Sequence, residues 1–173
     1  MLKLALLRHA KSSWDNATLG DFDRPLNTRG RETAPAMGQE IARLGIEPGV
    51  ILCSPARRTR ETLDLILPKL GAERVVIHFD AALYLAGAAD LMQHVRACET
   101  QTDTILVIGH NPGMHALAAS LIATGDPGAI ARLEDKFPAA ALAVILFTGA
   151  RWRDIGAAKG HLEAYITPRR LSD

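Results

Sequence analysis

The stretch that decides the fold is residues 50–55, VILCSP, and residues 104–112, TILVIGHNP, repeat its arrangement. In each, a short apolar run typical of a strand buried on both faces ends at polar residues, and a proline follows. Ser54 with Pro55, and Asn111 with Pro112, are the residue types that favour an N-cap and a first helical position. Each stretch therefore predicts a strand, a tight turn and a helix, which is the repeating unit of a parallel α/β sheet.

The flanking sequence predicts further strands and helices. The run KLALL at 3–7 predicts another buried strand, followed by a long polar loop that ends where Asn27 or Thr28 caps a helix running to Gly45. We also predict strands at 75–79, 140–147 and, at the sheet edge, 151–155, helices at 55–67, 88–98 and 112–122, and a loop at 125–128. The fold expected is one domain over residues 1–173, an α/β protein built as a three-layer α/β/α sandwich with a mostly parallel central sheet and an antiparallel edge strand.

Composition excludes several classes of protein. The 173 residues include 20 Lys and Arg and 19 Asp and Glu, a net charge of +1, so we expect neither a nucleic-acid nor a membrane partner. The apolar run 4–7 is closed by Arg8 and His9 with no cleavage pattern after it, so we expect no signal peptide and a cytoplasmic location. Cys53 and Cys98 have no zinc-site spacing, and we expect reduced thiols.

Three predicted strands end in residues suited to binding an anion. They are followed by Arg8 with His9, by Ser54 with the arginines of 57–60, and by His110 with Asn111. Ligands of open α/β sheets bind at the carboxyl ends of the strands, and arginines beside helix N-termini favour a phosphate there. Histidine can in addition attack phosphorus at neutral pH. These residues therefore predict phosphoryl transfer through a phosphohistidine, with no metal and no cofactor.

The order of the motifs carries a family resemblance. The sequence contains LRHAKSSW at 7–14, DFDRPLNTRG at 21–30, SPARRTRET at 54–62, DAALYLAG at 80–87, VIGHNPG at 107–113 and ITPRRL at 166–171. In these pieces the chain resembles the histidine phosphatase superfamily, which shares its fold with the phosphoglycerate mutases, and within it the SixA-type phosphohistidine phosphatases.

The resemblance implies roles for individual residues. His9 matches the nucleophile, Arg8 the arginine that holds the phosphoryl group, and His110 the second histidine of the pocket. In the pattern S-P-x-x-R the phosphate arginine is Arg58. Arg57 and Arg60, on the same helix, are then expected to face the surface. Glu61, three residues after Arg58, could hold the side chain of Arg58 in place.

Other residues of the motifs are candidates for the rest of the pocket. We expect substrate contacts from Ser12, Asp15 and Asn111. Asp80 is the best candidate for a proton donor, and Tyr84 either lines the rim or packs. Asp23 and Arg24 form either an ion pair that closes the loop over the pocket or a cap on the turn before Pro25.

Two departures from the family pattern bear on the substrate. Ala10 stands where many members carry glycine, and Asp15 stands where mutase-like members carry a phosphate-contacting asparagine, so mutase activity is disfavoured. No clear match to the family's separate proton donor is present. An imidazole can leave after protonation by solvent, whereas an alkoxide needs a positioned acid, an effect of roughly 10²- to 10⁴-fold. The sequence therefore favours phosphohistidine over sugar phosphates.

The predicted function is a metal-independent phosphatase that hydrolyses protein phosphohistidine through a covalent intermediate on His9. One alternative is a broader small-molecule phosphomonoesterase with the same pocket, and another is a phospho-recognition module without turnover. A metallohydrolase with His9, His110 and Asp15 as ligands is disfavoured, because the arginines would repel a cation. The expected partners are a phosphorylated protein or a small phosphorylated metabolite, with phosphate, sulfate or vanadate as competitors.

Overall fold

The computed structural model describes residues 1–71, 74–98, 101–149 and 151–171, and its centre is one seven-stranded sheet. The strands are β1 (Leu2–Arg8), β2 (Val50–Cys53), β3 (Val76–Phe79), β4 (Thr104–Gly109), β5 (Ile122–Gly125), β6 (Leu142–Phe147) and β7 (Gly160–Ile166). Their order across the sheet is β3-β2-β4-β1-β6-β7-β5.

Six strands run in one direction and β6 runs against them. The pairs β3-β2, β2-β4, β4-β1 and β7-β5 are parallel, whereas β6 is antiparallel to both β1 and β7. The mostly parallel sheet is thus confirmed. The expectation of an antiparallel edge strand is wrong, because β6 lies inside the sheet between two neighbours and the edges are β3 and β5.

Alternation along β1 explains why both faces of the sheet are covered. Leu4 and Leu6 belong to one hydrophobic cluster, while Ala5 and Leu7 belong to the other, and all four side chains are fully buried. Successive side chains of a strand point to opposite faces, so β1 needs a cover on each side.

Five helices in the described part of the chain supply those two covers. They are α1 (Thr28–Arg43), α2 (Arg57–Ile66), α3 (Ala88–Arg96), α4 (Gly113–Leu121) and α5 (Pro127–Asp135). The buried side chains of α1 and α2 belong to the cluster of Leu7, and those of α3, α4 and α5 to the cluster of Leu6. The three-layer α/β/α sandwich is therefore confirmed.

Two helices begin later than their sequences predict. The N-cap residue of α2 is Ala56 and that of α4 is Pro112, and neither makes a side-chain cap. The expected caps, Ser54 and Asn111, instead lie in the turns that lead into these helices and have other partners. The N-cap of α1 is Asn27 as predicted, since its Oδ1 accepts from the N–H of Gly30 at 2.8 Å.

The last third of the chain differs most from the prediction. The predicted edge strand at 151–155 is a 3-10 turn, Trp152–Asp154, and the predicted loop at 125–128 overlaps the end of β5 and the start of α5. The strands β5 and β7 were not predicted. The chain therefore completes the sheet with β7 and β5 beyond β6.

Candidate active site

Parallel pairing of β1 and β4 places two histidines side by side. Arg8, the last residue of β1, lies opposite Gly109, the last residue of β4. His9 and His110 are the next residues on each strand, and their ring centroids are 5.3 Å apart. The register of the sheet therefore sets the spacing of the two rings.

Hydrogen bonds fix the tautomer of His9. Its Nδ1 lies 2.7 Å from the carbonyl oxygen of Ala10. Since a carbonyl only accepts, Nδ1 carries the ring proton and Nε2 keeps its lone pair. Arg58 Nε donates to that Nε2 at 3.2 Å. Burial, with a further contribution from the charge of Arg58, lowers the pKa of His9 to about 3. The ring is neutral at pH 7, and its Nε2 is in the state that can attack phosphorus.

His110 is held in the same neutral state. Cys53 of β2 lies opposite Ile108, so Ser54 comes level with Gly109, one residue before the histidine. The Nε2 of His110 is 2.7 Å from Ser54 Oγ, and its Nδ1 is 3.1 Å from Arg58 Nη2. An arginine only donates, so Nδ1 accepts and the Nε2–H donates to the serine. Burial, together with Arg58, lowers the pKa of His110 to about 4.

Arg58 connects both rings to a carboxylate. It belongs to the first turn of α2, and its side chain is buried. Its Nη1 donates to the carbonyl oxygen of Asp21 at 2.5 Å, and its Nη2 donates to Asp21 Oδ2 at 3.0 Å. Thr62, one turn further along α2, accepts from the N–H of Ala10 at 3.0 Å and so ties this helix to the loop that carries His9.

The neighbouring arginines lie outside the pocket, as the sequence predicts. Arg57 is exposed and its Nε donates to Glu61 Oε1 at 2.8 Å, while Arg60 lies over the ring of Phe79. The expectation that Glu61 holds Arg58 is wrong, because one turn of helix brings Glu61 to Arg57 instead.

The carboxylate that holds Arg58 is Asp21, which sequence reasoning missed. It accepts from Tyr84 Oη at 2.5 Å and from Arg24 Nη1 at 3.0 Å. The hydrogen bond from Tyr84, and then the contacts with Arg58, lower the pKa of Asp21 below its usual value, so it is ionised at neutral pH. Of the two alternatives for Asp23 and Arg24, the ion pair between them does not form, because the 3-10 turn brings Arg24 to Asp21, three residues earlier.

Arg8 and Asn111 meet at one carbonyl. The oxygen of Phe137 accepts from Arg8 Nη1 at 3.0 Å and from Asn111 Nδ2 at 2.8 Å. Arg8 Nε and Asn111 Oδ1 are buried and have no hydrogen-bond partner among the residues the structure describes. Both side chains line the pocket. A buried N–H without a partner costs roughly 1–3 kcal/mol, so the Arg8 Nε is suited to meet an oxyanion.

Two more predicted residues lie at the pocket. Ser12 lines it, and its Oγ accepts a hydrogen bond from Arg24 Nη2. Tyr84 donates a hydrogen bond to Asp21, which lines the pocket. Its ring makes an edge contact with the ring of His110, with centroids 5.4 Å apart. Tyr84 is therefore a packing partner of His110 as well as a neighbour of the pocket wall.

The structure does not bring Asp15 or Asp80 to the pocket. Asp15 is exposed on the loop after β1. Asp80 caps the backbone N–H of Ala82 at 2.8 Å, pairs with His94 Nε2 at 3.1 Å, and lines a separate cavity of about 360 Å³. The expectations that Asp15 contacts substrate and that Asp80 serves as acid or pocket rim are corrected by this geometry.

The residues described above form one open pocket of about 700 Å³. The described residues lining it include seven Lys or Arg and a single carboxylate, Asp21. The cations are Arg8, Lys11, Arg24, Arg29, Arg58, Lys136 and Arg169. In a chain with a net charge of only +1, this concentration of positive charge makes the pocket a site for anions.

Within the described part of the chain, no three His, Cys, Asp or Glu side chains are grouped in a way that could hold a metal ion. No helix among these residues has the length and apolar character needed to cross a bilayer.

Comparison with known proteins identifies the family. The family model of the histidine phosphatase superfamily, branch 1, matches residues 4–84. A Mycobacterium tuberculosis protein of uncharacterized function is 35% identical over 171 residues, which are 94% of this chain and 100% of the relative. A chloroplastic Arabidopsis thaliana relative, also uncharacterized, is 38% identical over 127 residues, which are 69% of this chain and 58% of that protein.

Solved structures agree with this assignment. SixA from Nakamurella multipartitia superposes with a TM-score of 0.79 at 30% identity, covering 96% of both chains. The protein histidine phosphatase SixA in complex with tungstate superposes with a TM-score of 0.77 at 20% identity, covering 98% of this chain and 99% of the other. The chain belongs to the histidine phosphatase superfamily, and this membership supports a phosphatase activity. Within the superfamily it belongs to the SixA-type branch.

Proposed function

We propose that the protein hydrolyses phosphohistidine in proteins, with His9 as the covalent carrier of the phosphoryl group. The observation that carries the proposal is the neutral, buried His9 ring, whose unprotonated Nε2 lies in a cation-lined pocket beside Arg58 and His110. A site that only bound phosphate would need the arginines but no free imidazole nitrogen.

Two displacements at phosphorus complete the reaction. In the first, His9 Nε2 forms a bond to phosphorus as the P–N bond of the substrate breaks, and the electron pair goes to the leaving imidazole, which takes a proton from solvent. The Nδ1–H of His9 keeps its bond to the Ala10 carbonyl and so stabilises the positive charge that the ring acquires. In the second, water attacks phosphorus, the bond to Nε2 breaks, and orthophosphate leaves with the oxygen of that water.

Arginine side chains stabilise the charge on the transferred group. Arg58 and Arg8 line the pocket, and preorganised donors of this kind act most strongly on charge that develops in the transition state. Because Arg58 Nε donates to His9 Nε2 in the structure, the guanidinium turns from this nitrogen to the phosphoryl oxygens as the substrate enters.

The state of Asp21 favours phosphohistidine as substrate. It is the carboxylate of the described pocket lining, and it is ionised and occupied by Arg58, Arg24 and Tyr84. An ionised carboxylate has no proton to give, so an alkoxide leaving group would depart without help. An imidazole leaving group does not depend on such an acid as strongly.

A small-molecule phosphomonoesterase is the second candidate. The volume of about 700 Å³ favours it, because a pocket of that size holds a small organic phosphate. The likeness to a SixA that binds tungstate, a tetrahedral oxyanion, supports phosphate-like ligands under both proposals. The cytoplasmic location stays a prediction from the sequence.

A comparison of leaving groups tests the proposal. Initial rates would be measured without added metal on a histidine-phosphorylated protein, a phosphoserine peptide and small alkyl phosphates. We expect kcat/KM on the phosphohistidine protein to exceed that on the alkyl phosphates by roughly 10²-fold or more. Efficient hydrolysis of alkyl phosphates with little turnover of phosphohistidine would overturn the proposal and assign the small-molecule phosphatase.

A further inference from the structure

Four cations surround the opening of the pocket, beyond the residues that meet the phosphoryl group. Lys11, Arg29, Lys136 and Arg169 line the pocket, and all four side chains are exposed, whereas Arg58, His9 and His110 are buried at its base. We call these four residues the cationic rim. The side chain of Arg170, in the same motif as Arg169, lies outside the described part of the structure.

The cations of the cationic rim form no ion pair with the described residues. Some exposed arginines elsewhere have carboxylate partners, for example Arg57 with Glu61 at 2.8 Å, Arg43 with Glu40 at 2.6 Å and Arg151 with Asp154 at 2.8 Å. Among the described residues, no carboxylate lies within 4.0 Å of a rim cation. The rim therefore presents its full charge to whatever approaches the pocket.

The rim is assembled from distant parts of the chain. Lys11 follows β1, Arg29 is the second residue of α1, Lys136 follows α5, and Arg169 lies in the 3-10 turn Pro168–Leu171. A solvated helix face would place like charges along one element, whereas these four come from four elements. Arg29 also lies near a helix N-terminus, where the helix dipole disfavours a cation. The stability of α1 therefore does not explain a positive charge at residue 29. The position of Arg29 at the pocket does explain it.

Two exposed apolar side chains at the same opening favour a polypeptide as the occupant. Trp14 and Leu85 line the pocket and keep 75% and 52% of their surface exposed. The Trp14 ring is fixed by Arg24, whose Cζ lies 3.3 Å from the ring centroid. Exposed aromatic side chains next to arginines are typical of protein-binding surfaces. A free phosphate ion would leave the exposed apolar surface of both side chains uncovered.

We propose that the cationic rim binds acidic side chains that flank the phosphohistidine of the substrate protein, and so selects acidic segments as substrates. The inference rests on the proposed function and specifies which phosphohistidine proteins the enzyme prefers. Flanking carboxylates meet the rim while the phosphoryl group reaches His9, and Trp14 and Leu85 cover apolar parts of the same segment. Exposed charges act mainly on encounter, so the selection appears in kcat/KM and weakens as salt is added.

Matched peptides test the inference on the whole protein. The probes are two phosphohistidine peptides of equal length, one with two glutamates on each side of the phosphohistidine and one with glutamines there, together with free phosphohistidine. We expect the wild type to prefer the glutamate peptide by on the order of tenfold in kcat/KM at low salt, and to lose most of this preference in 0.5 M NaCl, where the Debye length is roughly 4 Å.

Paired variants separate the rim from a general effect of charge. The double variant Lys11→Gln/Arg169→Gln removes two rim cations, and Lys69→Gln/Arg153→Gln removes two exposed cations outside the pocket. We expect the rim variant to lose most of the preference, chiefly through KM, and the control variant to retain it. Circular dichroism and thermal unfolding would verify that both variants are folded.

Each outcome has a definite meaning. A wild type without preference, or a rim variant that keeps it, overturns the rim inference and leaves the proposed function standing. A wild type that hydrolyses none of the phosphohistidine probes overturns both. A rim variant that keeps the peptide preference but loses a preference for butanediol bisphosphate over butanediol monophosphate overturns the inference and assigns the rim to a second phosphate of a small substrate.

Discussion

Arg58 Nε lies 3.2 Å from His9 Nε2, so the N–H of a buried guanidinium donates to the nitrogen that is proposed to attack phosphorus. Burial and this contact together keep the ring unprotonated. The contact must also break before a bond to phosphorus can form at the same nitrogen. The pair is therefore in a resting arrangement. An incoming anion favours a change, because the arginine then donates to a charged acceptor instead of a neutral one.

Removal of the proposed nucleophile gives the first prediction. We expect His9→Ala to abolish turnover while the protein stays folded, because no other described imidazole nitrogen occupies the same position. A brief reaction of the wild type with radiolabelled substrate would trap an acid-labile, base-stable phosphoryl group on His9, located by mass spectrometry. Turnover near the wild-type rate in His9→Ala would rule out the covalent mechanism.

The two neighbouring arginines of α2 give a matched pair. We expect Arg58→Ala to lower kcat/KM by about 100-fold or more, since one preorganised donor contributes about 3 kcal/mol to the transition state. Arg57→Ala removes an exposed ion pair with Glu61, which contributes roughly 0–1 kcal/mol to stability, and should leave kcat/KM nearly unchanged. Steady-state kinetics on one phosphohistidine substrate would check both, and equal losses would contradict the assignment of Arg58.

Two aspartates test whether the site has a hidden acid. We expect Asp21→Asn to lower kcat/KM by about tenfold on phosphohistidine and on alkyl phosphates alike, because it frees Arg58 from the acceptor that orients it. We expect Asp80→Asn to change either rate little, because Asp80 lies in a separate cavity with His94. A loss in Asp21→Asn confined to alkyl phosphates would show instead that Asp21 donates a proton to poor leaving groups.

The neutral histidines predict how stability depends on pH. Burial lowers the pKa of His9 to about 3 and that of His110 to about 4, whereas both titrate near 6.5 when unfolded. Below that value the unfolded chain binds protons that the native pocket does not, so stability falls with pH from about 6.5 toward 4, by up to about 1.4 kcal/mol per pH unit for each ring.

Urea unfolding at pH 7.0 and 5.0 would measure this loss. The variant His9→Asn lacks one titrating ring, so its free energy of unfolding should fall less between the two pH values than that of the wild type. An identical fall in both proteins would show that His9 is protonated in the native pocket or that its pKa is not lowered.

Competition by oxyanions gives the last prediction. Vanadate, phosphate and sulfate should inhibit competitively, because the arginines that line the pocket suit a tetrahedral anion. EDTA should leave the rate unchanged, since the proposed steps use only His9, the arginines and water. Strong inhibition by EDTA, reversed by a divalent metal, would require a metal in the reaction.

The first two thirds of the fold could be predicted because each element carries its own local signal. Short apolar runs identified β1, β2 and β4, and the N-cap at Asn27 identified the start of α1. The sequence at 125–128 predicts a loop, although Asp126 caps α5 by accepting from the N–H of Ala129 at 2.7 Å. The alternation at 151–155 belongs to a turn, where Trp152 and Ile155 are buried three residues apart.

The candidate site shows the same division. Arg8, His9, Arg58 and His110 come from ordered motifs, and the structure brings all four into one pocket. Asp21 could not be chosen over Asp23, because the choice depends on how a short turn packs against α2. The partnership of Asp80 with His94 likewise depends on the packing of α3, which no local pattern reveals.

The pairing of Arg8 with Gly109 has a consequence for the evolution of the chain. Both histidines follow directly from the backbone of paired strands, so a single residue inserted within β1 or β4 would turn every later side chain of that strand to the other face. The surface loops lack this constraint. Proteins descended from the same ancestor should therefore differ in length between the strands and the helices, while the number of residues from the start of β1 to its histidine stays constant.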